Sequence, residues 1–380
     1  MNKYLKPAVT AGFFCILCGC AGPTGTEDLF RDKPAFDLPA AGKLPLAMRD
    51  VYGILLIDNY VILRHVHNDH LLGIYDIRTG DTVKMAARYG VGPDEYTFVT
   101  DVVKVNDSTF ATMSANSNQY ISFYRLGDLS PGEPFHPFRR VNLRRSPKTS
   151  PGIMDGHPDI RIRAGNDTLI VGQALDWKGE KMLGSLHPDD KELQLFIDYP
   201  EDDQQEQLGA GPKSSLYQGP ISLNDTGDRM FRAVSSADIV EFFRIDAAGA
   251  ILPVKQYRFS TPPFVRIDPV NVAHDSRTSV DYFQDITWND GKVYLLTSTM
   301  APSYQRREIL GRAYRALCET GKEEIYARIF VYTQDGDPLY TLRLDVNPIY
   351  ILFHRGKLYA LSGNADGDYE LRYYDVNALK

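Results

Sequence analysis

Three of the eight histidines fall within one short run, Arg64-His65-Val66-His67-Asn68-Asp69-His70. On a strand entering a turn, His65 and His67 share a face because strand side chains alternate, and Asp69 and His70 stand across the turn. Imidazoles beside a carboxylate are a donor set that zinc or copper takes. The same letters suit an exposed turn, so His65, His67 and His70 are taken as candidate ligand contacts and no metal is assigned. Asp176-Trp177-Lys178-Gly179-Glu180 carries one of the two tryptophans. A Trp at a loop tip is a common anchor for a protein or sugar contact, and the competing reading packs Trp177 on its own hairpin. Asp176, Trp177 and Tyr304 complete the candidate contacts.

Other motifs are negative. Gly209-Ala210-Gly211-Pro212-Lys213 is Gly-rich but lacks the GxxxxGK[ST] spacing, and no helix is expected after it, so it is not a phosphate loop. Asp189-Asp190 and Asp202-Asp203 lack the further oxygen ligands of a calcium loop. There is no G-x-S-x-G and no H-E-x-x-H. No catalytic residue and no cofactor follows. Net charge is −7 with both signs scattered, which argues against nucleic acid as a partner.

The elements that must hold these residues repeat. Ile286–Ser298 reads as strand, an Asn289-Asp290-Gly291 turn and strand, since Asn, Asp and Gly tolerate the positive φ of tight hairpins. Trp288 ends the first of these strands and reads as core. Six such units follow one another. The first has Val51–Ile57, Tyr60–Val66, Leu71–Asp76 and Thr82–Arg88. The second begins near Phe98 and ends with Pro137–Leu143, and the third runs from Asp159 to Tyr199. The fourth runs Leu216–Leu223, Arg229–Val234, Asp238–Ile245 and Ala250–Arg258. The fifth holds the hairpin, Ile325–Tyr332 and Pro338–Leu344. The sixth has Ile349–Phe353, Lys357–Leu361 and Tyr369–Tyr374. Five of the six first turns carry Asn or Asp. A period of roughly 50–60 residues points to an all-β six-bladed β-propeller.

The sixth unit lacks a fourth strand, and Ala35–Leu46 is spare, so this N-terminal segment is expected to close the last blade and remove its open edge. Ser303–Thr320 spaces Ile309, Leu310, Ala313, Ala316 and Leu317 as an amphipathic helix, one short insertion between the second and third strands of blade five. Strands alternate in direction, so links between blades share one face with the turns from second to third strand. The long loops Arg144–His157, Glu201–Ser214, Ser260–Val280 and Thr299–Glu324 all fall on that face, where binding is expected.

The start of the chain is different. Lys3 and Lys6 precede an apolar run, Ala8–Leu17, of secretory length. Leu17-Cys18-Gly19-Cys20 resembles the bacterial lipobox, which implies residues 1–20 as a lipoprotein signal peptide and Cys20 as a lipidated (palmitate-bearing) first residue. Residues 21–34 read as a flexible tether and 35–380 as the propeller. Ala21 stands where an inner-membrane retention signal usually has Asp, which favours the outer membrane of a Gram-negative bacterium. Glu27 and Asp28 come late, which favours the periplasmic side over the cell surface. Cys318 is then the one cysteine of the body, read as a partly buried inert thiol or a reactive one.

Arg88-Tyr89-Gly90-Val91-Gly92-Pro93-Asp94-Glu95-Tyr96 resembles the GxGPxEY/F stretch of the TolB-like six-bladed β-propeller lipoproteins of gut anaerobes. Asp94 stands where Gly is commoner. Gly90 and Gly92 let the backbone turn, Pro93 stiffens it, and Glu95 is suited to accept turn amides beside Tyr96, bracing blade one against blade two. The family resemblance carries no activity. Three functions remain open: an envelope propeller binding a peptide, glycan or protein on its long-loop face; a metal-dependent propeller hydrolase or lactonase; and a non-binding scaffold.

Overall fold

Asp290 and Gly291 have φ of 47° and 73°, consecutive positive values that suit a two-residue hairpin turn to strand twist. They join Phe283–Asn289 to Lys292–Thr297. Arg355 and Gly356 repeat the device at 49° and 74° between Tyr350–His354 and Lys357–Gly363. The computed structural model describes residues 23–44, 46, 51–65, 69–92, 95–114, 120–142, 152–153, 159–162, 168–175, 180–187, 193–200, 208–267, 272–275, 277–364 and 368–379.

Such hairpins build six antiparallel blades around one axis. Each blade is too thin to bury both of its own faces, so the core is divided. Among the described residues six apolar clusters occur, and each straddles one junction between neighbouring blades. Leu55 and Ile62 of blade one meet Phe110 and Tyr124 of blade two. Phe231 and Phe242 of blade four meet Phe283 and Phe330 of blade five. Blade one meets blade six through Leu63 and Leu361, which closes the ring.

The closing segment divides its work. Ala35–Leu38 runs parallel to Pro338–Leu344 on the outer edge of blade five. Only Gly42–Lys43 forms the fourth strand of blade six, antiparallel to Tyr369–Tyr374. Pro39 has no amide hydrogen for a ladder, and the first strand ends just before it. The tether is in part seated: Thr24–Phe30 holds a single helical turn, α1 (Thr26–Leu29), with Thr26 and Phe30 buried.

Two expectations need correction: the strand Leu216–Leu223, and the absence of a helix at the Gly-rich stretch before it. Leu216–Leu223 is not one strand. Helix α2 (Ala210–Leu216) occupies its start and the Gly-rich stretch before it, and the strand is Ile221–Leu223. Pro212 lies in the first turn, where its missing amide hydrogen costs nothing, and Ser214 is buried against Tyr199, whose hydroxyl lies 2.9 Å away. Helix α3 (Arg306–Thr320) lies between the second and third strands of blade five as expected and ends on Gly321 at φ 69°. Of its residues only Ala313 is buried, while Leu310 and Cys318 are exposed.

Candidate functional site

The inner strands enclose a channel of about 210 Å³. Its polar end lies toward the long-loop face. In three blades the inner strand bulges at the same height, between Val51 and Gly53, Val99 and Asp101, and Phe283 and Asp285. A bulge leaves backbone groups outside the ladder, and side chains answer them. Asp101 accepts the Val102 amide at 2.7 Å. Asp285 accepts the Ile286 amide at 2.9 Å and, across the blade junction, the Ile351 amide at 2.7 Å. Gln284 donates to the Ile349 carbonyl at 3.0 Å. Blade one has Gly53 where the other two have Asp, and Arg64 fills that space, donating to the Val99 carbonyl at 2.9 Å and to the Tyr52 carbonyl. The Tyr350 hydroxyl also donates to the Tyr52 carbonyl, at 2.8 Å.

One mouth therefore gathers Arg64, Asp101, Asp285 and Tyr350. Asp285 remains reachable through the channel but is otherwise enclosed, and that burial pushes its carboxyl up to about 7, with the Asp101 charge adding to the shift. Burial also raises the Tyr350 phenol, opposed by Arg64. The mouth combines a cation, hydroxyl and amide donors and two carboxylates, one able to exchange a proton near neutrality. The opposite mouth holds Lys104, Asp225 and Trp288. Trp288, read as core, is half-buried there and stacks on Phe231 at 5.6 Å.

A second hollow, about 490 Å³, lies between blades one and two. His70, Arg88, Glu95 and His136 line it. Glu95 and Tyr96, from the link after blade one, form part of one wall. Glu95 accepts the Gly92 amide at 2.9 Å, and a side chain at Gly90 would overlap the Glu95 carboxyl. The Tyr96 hydroxyl meets Tyr124 at 2.9 Å and Ser122 at 3.2 Å, and accepts from Arg140 at 3.0 Å.

The structure separates the candidates read from sequence. His65 is buried at the end of the second strand of blade one, and His70 opens the third strand, partly buried. Tyr304 is exposed at the start of the α3 insertion. His67, Asp176, Trp177, Pro93 and Cys20 lie outside the described residues. Among the described residues, no group of three or more His, Cys, Asp or Glu could hold a metal ion. Sequence reading missed Asp101 and Asp285. Their signal is an Asp at the third position of two inner strands, Val99-Thr100-Asp101-Val102 and Phe283-Gln284-Asp285-Ile286, visible only once the units are aligned.

No protein-family model matches the chain, and no curated protein matches it in sequence. Among solved structures, a member of the DUF4221 family from Bacteroides vulgatus is similar over 89% of this chain and 97% of its own, with 13% identity and a TM-score of 0.56. The luciferin-regenerating enzyme is similar over 89% and 96%, with 10% identity and a TM-score of 0.48. The PQQ-bound aldose sugar dehydrogenase from Streptomyces coelicolor is similar over 88% and 97%, with 11% identity and a TM-score of 0.47. At such identities the likeness is one of fold, a six-bladed β-propeller.

Proposed function

We propose that the protein is a lipid-anchored envelope propeller of the TolB-like kind that takes a partner at the long-loop mouth of its channel. The observation that carries this reading is the convergence of Arg64, Asp101, Asp285 and Tyr350 at one mouth, on the face that the links between blades share. Mixed donors and acceptors on rigid strands suit a partner rich in both, such as a peptide backbone or a glycan. Loops over a fixed scaffold supply the remaining contacts. The lipobox supports Cys20 as the anchor, with the outer membrane, periplasmic side, as the address. No described helix is long and apolar enough to cross a membrane.

The test has two arms. Membrane fractionation of the full chain and of Cys20→Ala checks the anchor, and release of the variant into the soluble fraction is the expected result. Thermal shift across peptide and glycan libraries checks the site. A ligand that binds only the folded state raises Tm, and Arg64→Gln is expected to abolish the rise. A library in which nothing raises Tm favours the scaffold reading instead.

A further inference from the structure

The segment after the proposed anchor is fastened to the long-loop face. The Thr26 amide donates to Asp238 at 2.8 Å, and the Thr26 hydroxyl donates to the other oxygen of the same carboxylate. Asp238 sits in the turn from second to third strand of blade four, which lies on that face. The Thr24 amide and hydroxyl both donate to Asp28, at 2.9 and 2.6 Å. Glu27 pairs with Arg328 at 2.7 Å. Phe30 is buried, stacked on Phe330 at 4.7 Å. Only Ala21, Gly22 and Pro23 separate Cys20 from Thr24. Four residue steps span at most about 14 Å, so a lipid on Cys20 holds the blade four and five sector of this face close to the bilayer.

Exposed apolar side chains are distributed to match. Among the described residues, twelve large hydrophobics are exposed. Val83, Leu252, Val254 and Phe138 lie on or beside outer strands. The other eight belong to the long-loop face, among them Val91 at 91%, Ile267 at 67% and Tyr304 at 61%. Helix α3 turns Leu310, Tyr314 and Cys318 outward, at i, i+4 and i+8, with Arg307 and Arg315 exposed around them. Tyrosines, short aliphatics and arginines together make the composition of an interfacial surface, where aromatic rings sit at headgroup depth and guanidinium groups meet phosphate.

We infer that the long-loop face is turned toward the bilayer, with the outer stripe of α3 and the Ile267 loop resting on lipid headgroups beside the anchor. This rests on the lipid-anchor reading of Cys20. A partner entering the channel mouth then approaches along the membrane surface.

The mature chain carries its own probe. Processing at Cys20 removes Cys15 and Cys18 and blocks Cys20, leaving Cys318 as the one cysteine thiol, exposed on the stripe in question. The lipidated full chain is placed in phosphatidylethanolamine–phosphatidylglycerol vesicles and labelled with a nitroxide at Cys318. A comparison chain carries Cys318→Ser with Asp107→Cys, an exposed turn on the opposite face. Collision with oxygen and with a water-soluble nickel chelate is then read by electron paramagnetic resonance. The expected result is a label at Cys318 shielded from nickel several-fold more than the label at position 107. Equal nickel access in a chain whose mass contains the lipid overturns the orientation alone. A mass showing unmodified Cys20 overturns the anchor reading, and the inference with it. Shielding at 318 without vesicles also overturns it, because it points to a protein contact.

Discussion

The Asp285 carboxylate receives the Ile351 amide at 2.7 Å, so one side chain of blade five satisfies a backbone donor of blade six. The cost of that brace depends on pH. The folded protein holds the Asp285 carboxyl at about 7, against an ordinary value of 3.8. Between those values the folded state binds more protons than the unfolded chain, so stability falls as pH rises from about 4 to about 7, by no more than about 1.4 kcal/mol per pH unit. Asp285→Asn removes the titration and one charged acceptor, at a cost of about 1–3 kcal/mol. Thermal melts from pH 4.5 to 8 are expected to slope downward for the native chain and to flatten for the variant. A flat native profile contradicts the raised value.

Glu241 lies fully buried between two arginines of blade four. Arg232 donates to it at 2.5 Å, and Arg258 donates to its other oxygen at 2.9 and 2.6 Å. Removing one partner of a buried ion pair strands the other, so Glu241→Ala is expected to cost about 3–5 kcal/mol. Replacing Arg232 and Glu241 together by Met and Leu is expected to recover much of that loss, because the desolvation of both charges disappears as well. Urea unfolding of the native chain and the two variants measures both effects.

What could be read from sequence follows physical locality. Asp58, Asp290-Gly291 and Arg355-Gly356 sit at positive φ, a steric demand met by the residues themselves, so the blades were visible in the turns. The α3 insertion was visible too, but its inward side was not. Ala313 faces the body and Leu310 does not, because a small residue lets the helix lie close to the scaffold. Helix α2 hid behind Gly and Pro, and its cause is remote: Gln173 of blade three donates to the Ser214 carbonyl at 2.5 Å. The site residues Asp101 and Asp285 hid for the same reason. Asp285 answers the Ile351 amide of a neighbouring blade, and Asp101 shares its mouth only through the closing of the ring, so nothing adjacent in sequence announces either role.

The seat of the N-terminal segment gives a prediction of local rather than global loosening. Phe30 fills a slot between Phe330 and Tyr332 at 4.7 and 4.9 Å. A buried Phe→Ala change costs about 3–5 kcal/mol when the site cannot relax. Here residues 24–30 can lift away without opening a blade, which caps the cost at the free energy holding the segment. Phe30→Ala is expected to lose hydrogen-exchange protection over residues 24–30 with the amides of blades four and five unchanged. Asp238→Ala, which removes the acceptor of both Thr26 bonds, is expected to do the same. Loss of protection throughout blade five would show that the segment is part of the cooperative core.

The Gly90–Tyr96 link distinguishes bracing from ligand contact. Glu95 is held by the Gly92 amide at 2.9 Å, and the Tyr96 hydroxyl joins Tyr124, Ser122 and Arg140 inside the junction of blades one and two. Burial and the neighbouring Tyr96 push the Tyr124 phenol well above its ordinary value, so it stays protonated and can donate across the 2.9 Å gap to Tyr96. Tyr96→Phe leaves Arg140 and Tyr124 short of an acceptor, at an expected cost of about 1–3 kcal/mol. Glu95→Gln retains an oxygen for the Gly92 amide and is expected to be nearly neutral, while Glu95→Ala loses about 1 kcal/mol. If the link is a brace, Tyr96→Phe and Glu95→Ala lower Tm, Glu95→Gln does not, and all three leave partner affinity at the channel mouth unchanged. Affinity lost in Glu95→Gln at native stability would instead make the hollow between blades one and two part of the binding surface.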